Sequence, residues 1–174
     1  MGLPELLPWR SFTIETSWSP EVAAAELAKE VAGPMLPGGG YAPFVGRAAS
    51  PYDFEFSRRI EYRNSFLPVV RTAVEASYRG GARVRVTMRM NPFVLAFTAV
   101  WMSGATLVGG LGGLSALLEG HPAGLIGLAF PLFGAALFGF GFGVEARKAE
   151  AALRAVYAAA PGLPPPPDTG EAYR

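Results

Sequence analysis

Two stretches in the C-terminal half, Pro92–Leu118 and Pro122–Val144, carry no ionisable side chain, and only Glu119, Gly120 and His121 separate them. At about 1.5 Å per helical residue they reach roughly 40 and 34 Å, against a hydrocarbon core of about 30 Å. A water-soluble domain has little reason to keep two such runs adjacent. The sequence therefore predicts a two-helix transmembrane hairpin (92–118 and 122–144) that interrupts a polar domain made of 1–91 and 145–160. With the hairpin set aside, roughly 120 residues remain, enough for one small domain.

The net charge of +1 hides a strong asymmetry. Met1–Ser57 holds seven acids and three bases, whereas Arg58–Arg89 holds eight arginines against Glu61 and Glu75. That basic block stops just before the first span, Arg147 and Lys148 follow the second, and no Lys or Arg lies between the spans. The positive-inside rule then puts both termini and the polar domain in the cytoplasm, with His121 outside. Cysteine is absent, which removes any disulfide framework. The start MGLPELLPWRSF lacks the charged and apolar regions of a cleaved signal, and no Ser or Thr at position 6 supports myristoylation. Thirteen arginines against two lysines, with abundant Ala, Gly and Pro, suggest a GC-rich bacterial genome, hence a bacterial inner membrane.

Along the polar part, Arg10–Trp18 alternates as a half-buried strand, with Phe12, Ile14, Thr16 and Trp18 on one side. Ser19-Pro20-Glu21 starts a helix that is expected to run to about Ala32, with Ala23, Leu27 and Val31 as its apolar stripe. Pro37–Gly40 reads as a connector. Asp53–Arg63 alternates as a long strand with Phe54, Phe56, Ile60 and Tyr62 inward, and Arg58 breaking the inward set. Asn64-Ser65 is a turn candidate. Two more strands carry Val70, Thr72, Val74, Ala76, Tyr78 and then Val84, Val86, Met88, Met90, with Pro68 at the start of the first. Keeping their faces consistent calls for a three-residue loop at Gly80–Ala82, pairing Tyr78 with Val84. After the second span, Glu145–Ala159 continues as helix with Ala149, Ala152, Leu153 and Val156 apolar. The Pro-rich tail 161–174 is expected to be extended and mobile.

With so short a link the two spans must be antiparallel neighbours. Pivoting at Gly120 sets Phe97 opposite Gly143, Trp101 opposite Gly139, Ala105 opposite Ala135, Gly109 opposite Pro131 and Gly113 opposite Gly127. Both rows step by four, and small residues let backbones approach where lipid gives no hydrophobic drive. The same rows could serve a homodimer, or reflect only the abundance of glycine, 22 in all. Pro131 should free the carbonyl of Gly127 from its helical bond. Neither span holds an ionisable side chain, which disfavours a pump or transporter.

Residues able to carry chemistry are few. His121 is the only histidine and lies apart from the other polar clusters, so no His-activated nucleophile, no Cys/His metal site and no cofactor are expected. Asp53, Glu55 and Glu61 share a strand face with Arg59 and Arg63, which reads as solvated ion pairs before it reads as acid–base chemistry. Gly38-Gly39-Gly40 lacks the Lys-Ser/Thr of a phosphate loop. Arg83, Arg85 and Arg89, with Arg71 beside them, line one face of the strand leading to the first span. They either touch anionic headgroups or merely set topology. Nucleic acid is not expected, because Phe54, Phe56 and Tyr62 alternate away from the bases.

Tyr62-Arg63-Asn64-Ser65-Phe66-Leu67-Pro68, followed by Met88-Arg89-Met90-Asn91-Pro92-Phe93-Val94-Leu95, resembles a group of small bacterial two-span membrane proteins. The resemblance covers about residues 53–101 and carries no activity with it. The element order also resembles a START-like or PH-like roll closed by a C-terminal helix, with a hairpin inserted before that helix. The expected fold is thus α+β, an antiparallel sheet with N- and C-terminal helices. The expected function is a membrane-anchored, non-enzymatic binding or scaffold module at the inner leaflet. The alternative is a roll holding a lipid or small apolar ligand, with or without catalysis; partners are membrane lipids and a second copy of the chain.

Overall fold

Period-two alternation makes Trp9–Thr16 a strand, β1, whose inward Ile14 and Thr16 are buried while Ser11 and Thr13 are exposed. The computed structural model describes residues 8–33 and 42–160, so the Pro37–Gly40 connector and the Pro-rich tail lie outside the described residues. Helix α1 (Pro20–Glu30) starts as its sequence dictates. Ser19 caps it by accepting from the Val22 amide at 3.4 Å, and Pro20 fills the first helical position, where an amide would have no partner. The helix stops at Glu30, short of the expected Ala32. Val31 and Ala32 instead form a two-residue strand, β2, parallel to β3 (Phe44–Ala48). Pairing with β3 outweighs the modest helix preference of a β-branched valine.

Strand β4 (Asp53–Arg58) pairs antiparallel with β3, Gly46 lying opposite Phe56. A Cβ on Gly46 would meet the Glu55 carbonyl oxygen at 2.2 Å, so the close approach of these strands requires glycine. The long alternating run to Arg63 is cut at Arg58, opposite Phe44, the first residue of β3: the Arg59 amide still donates to the Pro43 carbonyl at 2.7 Å, but Pro43 has no amide to carry the ladder on. Beyond it Tyr62, expected inward, is 56% exposed. Strand β5 (Val69–Ala76) buries Val70, Thr72 and Val74, and β6 (Ala82–Arg89) buries Ala82, Val84, Val86 and Met88.

The β5–β6 loop has the expected three residues but sits two positions earlier. Ser77 donates its amide to the Gly81 carbonyl at 3.0 Å, and the Gly80 amide donates to the Ser77 carbonyl at 3.1 Å, so Tyr78–Gly80 form the loop. Gly80 and Gly81 take φ of +80° and +79°, which side-chain-bearing residues adopt at a cost. Glycine's placement, rather than the alternation, fixed the turn. The six strands form one mixed sheet in the order β1-β6-β5-β4-β3-β2.

Two further helices complete the fold: α2 (Pro92–Leu118), in which Thr106–Leu111 is a π-helical turn, and α3 (Gly124–Tyr157). The chain divides into two compact units. Among the described residues, one contains those of Ser11–Arg59, Val70–Thr87 and 149–160. Its core joins the inward sheet residues Phe44, Phe54, Phe56, Val74 and Val86 with Ala23, Ala24 and Leu27 of α1 and Leu153 and Tyr157 of α3, all at most 5% exposed. The Phe44 and Phe56 rings lie 4.8 Å apart, and the Tyr157 hydroxyl donates to the Ala23 carbonyl at 3.4 Å. Burial pushes the Tyr157 phenol above its ordinary pKa, keeping it a neutral donor. The other unit contains Ile60–Val69, Met88–Lys148 and the described residues 8–10.

Candidate functional site

In the sheet unit, the cationic residues singled out by sequence find acids across the strands. Arg71 lies opposite Glu55 in the β4–β5 register, and its Nε donates to the Glu55 carboxylate at 2.7 Å. Arg85 pairs with Glu75, and Arg83 Nε donates to Glu15 Oε1 at 2.7 Å. Burial raises the Glu15 pKa, yet hydrogen bonding from Arg83 and Ser77, with the charges of Arg83 and Arg79, outweighs it and holds the carboxyl below its ordinary range. Such solvent-screened pairs aid strand register more than stability. Between them lies an open groove of ≈ 580 Å³ lined by Asp53, Glu55, Arg71, Arg85 and Thr87, among others. Its two arginines already hold Glu55 and Glu75, and Asp53 accepts from the Ser50 hydroxyl at 2.6 Å. At the hairpin tip the guanidinium groups of Arg79 and Arg83 lie 5.5 and 5.2 Å from the Tyr78 ring, a cation–π pair. Among the described residues no three His, Cys, Asp or Glu side chains gather as metal ligands would.

Arg89 differs from the other three. It is exposed and has no acid within ion-pair distance among the described residues. Its strand ends there. Met90 follows, buried, its amide donating to the Pro8 carbonyl at 3.2 Å, and Asn91 then caps α2 by accepting from the Phe93 amide at 2.9 Å.

The two long helices pack antiparallel along a glycine seam. A Cβ on Gly113 would meet the Gly124 carbonyl oxygen at 2.6 Å and the Gly127 Cα at 3.1 Å, and one on Gly127 would meet the Gly109 carbonyl oxygen at 2.4 Å. Backbone against backbone at this spacing excludes any side chain. The seam keeps Gly113 beside Gly127 but sets Gly109 against Gly127 rather than Pro131. Trp101 lies against Gly134 rather than Gly139, its ring atom Cζ3 3.1 Å from where a Gly134 Cβ would stand. The Trp101 ring also meets Phe130 and Phe138, at 5.5 and 6.3 Å between centroids. Phe97 is 61% exposed, Ala135 is exposed, Ala105 and Gly143 are half-buried, and Gly139 is buried.

Gly113 meets Gly124 and Met102 meets Gly134, so the shift from a Gly120 pivot is alike on both sides of the π turn at Thr106–Leu111. On the facing helix, Pro131 has no amide for the Gly127 carbonyl, and this oxygen lies 3.1 Å from where a Gly109 Cβ would stand. Both irregularities therefore meet at one level of the seam.

The loop Ile60–Val69 belongs with these helices. Its Phe66 ring lies 2.9 Å from where a Gly141 Cβ would stand and 5.5 Å, edge-on, from the Phe138 ring. An Asn64 side-chain turn holds it, Oδ1 accepting from the Phe66 amide at 3.0 Å. Sequence reading found the turn at Asn64-Ser65 but missed its purpose. The signal was the phenylalanine directly after it, which neither neighbouring strand required. Compared with protein-family models, curated proteins and solved structures, the chain finds no match.

Proposed function

We propose that the chain is a membrane-anchored binding or scaffold module without catalytic activity, held at the inner leaflet of a bacterial membrane by a two-span hairpin. One observation carries the reading. Eighteen large apolar side chains between Phe93 and Phe140, from Leu118 at 81% to Leu128 at 36% exposure, stand uncovered on α2 and α3. Soluble monomers rarely expose contiguous apolar patches above a few hundred Å². Lipid covers such a surface without a sequence-specific partner. The length of α2, 27 residues, suffices to span. Arg89, Arg147 and Lys148 flank one end of the hairpin, and Glu119 and His121 lie at the other, so the charged end faces the cytoplasm together with both termini.

The rival ligand-holding roll would need space around Phe54, Phe56, Val74 and Val86. These four are at most 5% exposed and share their core with α1, which supports the anchored module. The resemblance of Tyr62–Pro68 and Met88–Leu95 to small two-span membrane proteins agrees with it. The test is topology. The full chain should stay in the membrane pellet after alkaline carbonate washing, and reporter fusions at residue 174 and at His121 should give opposite signals. Release into the wash, or a periplasmic C-terminus, overturns the reading.

A further inference from the structure

Resting on the membrane reading, the surface most suited to an anionic phospholipid headgroup is not the sheet face but a collar around the charged end of the hairpin. We infer that Arg63, Arg89 and Arg147 form that collar, and that Phe66 seats Arg63 in it. Three observations in the hairpin unit support this. First, the seam contacts Gly109 with Gly127 and Met102 with Gly134 share one antiparallel register. Continued along the helices, it sets Pro92, the first residue of α2, level with Val144, where the uncharged run of α3 ends. Arg89 and Arg147 thus each lie three residues beyond the same plane.

Second, Phe66 fixes the Ile60–Val69 loop on α3 at Phe138 and Gly141, within two turns of Val144. Arg63 precedes Phe66 by three residues, a reach of at most about 10 Å, and the Asn64 turn shortens it. The loop also carries Tyr62, 56% exposed, a residue type that favours the membrane–water interface.

Third, pairing separates these three from the arginines of the sheet face that the sequence singled out. Arg71, Arg83 and Arg85 hold carboxylates, and Lys148 is held by Glu145 at 2.9 Å. Arg63, Arg89 and Arg147 are exposed, with no acid within ion-pair distance among the described residues. A guanidinium already matched by a carboxylate gains little from a phosphate, whereas an unmatched one gains two parallel hydrogen bonds to it.

The experiment uses the full chain reconstituted in phosphatidylcholine bilayers and compares spin-labelled phosphatidylglycerol with spin-labelled phosphatidylcholine at the protein boundary. The wild type should prefer phosphatidylglycerol several-fold at low salt, less as salt rises. The triple variant R63Q/R89Q/R147Q should lose that preference, R63K/R89K/R147K should keep most of it, and the sheet variant R71Q/R85Q should leave it unchanged. Phe66→Ala should lower it as far as Arg63→Gln does, with no further loss when the two are combined. Preference surviving the triple change, or lost with the sheet pair, overturns the collar. So does inorganic phosphate abolishing the preference beyond sodium chloride at equal ionic strength, which would mark a free-anion site. Retention in the carbonate pellet is scored in parallel, so failure of the collar is distinguishable from failure of the membrane anchor.

Discussion

Adding one methyl group to the glycine seam should separate contact from composition, because adjacent glycines of α2 differ completely in what surrounds them. A Cβ on Gly113 would stand 2.6 Å from the Gly124 carbonyl oxygen and 3.0 Å from the Leu128 amide nitrogen, both backbone atoms that cannot rotate away. Restoring contact to about 3.4 Å requires the helices to part locally by about 0.8 Å. A gap of that size forfeits a quarter to a half of each dispersion contact along the seam. Overpacking of this kind costs about 1–3 kcal/mol. One residue earlier, Gly112 has nothing within 4 Å of its added Cβ. Gly112→Ala therefore keeps only the gain in helix propensity, about 1 kcal/mol. The assay is reversible unfolding of the full chain in detergent micelles. The chain has no cysteine, so a cysteine pair introduced across α2 and α3 can report their separation. Gly113→Ala should be the less stable variant by at least about 1 kcal/mol and should widen the distance. Equal stability of the two variants would refute the seam.

Three further outcomes are expected. Gly81→Ala should lower the melting temperature more than Gly80→Ala, since both force a positive φ but only at Gly81 would the Cβ meet a backbone oxygen, that of Thr16, at 2.1 Å. Phe66→Ala should speed tryptic cleavage after Arg63 under native conditions, because the loop loses its seat on Phe138 and Gly141; an unchanged rate would mean that something else holds it. The Glu15 carboxyl is held below its ordinary pKa, so the stability it adds is complete above the unfolded-state value and disappears as pH falls through the lower folded-state one. Thermal melts of wild type and Glu15→Gln should differ at neutral pH and converge in that acidic window, and a difference persisting below it would contradict the ion-pair account.

Much of the local structure was legible in residue order. Ser19-Pro20-Glu21 marked the start of α1, and the alternation of Val70, Thr72, Val74 and of Val84, Val86, Met88 marked the buried faces of β5 and β6. What failed did so where a partner decided. Val31 and Ala32 left the helix for β3, and the run from Asp53 ended at Arg58 because Pro43, just before β3, has no amide to carry the ladder on. The candidate site divided similarly. A basic strand face was visible, but not that Glu15, Glu55 and Glu75 would match three of its arginines, since those acids come from other strands. Phe66 was unreadable for the same reason, its contacts lying on α3 some seventy residues away.

The sequence by itself determined that two uncharged stretches long enough to span a bilayer follow an alternating, arginine-rich sheet, because length, charge and periodicity are properties of neighbouring residues. Only the tertiary structure decided which glycines meet, since the register of two antiparallel helices is set by packing between residues far apart in the chain. It also decided which arginines keep their charge unmatched, because pairing depends on what the fold brings across from a distant strand.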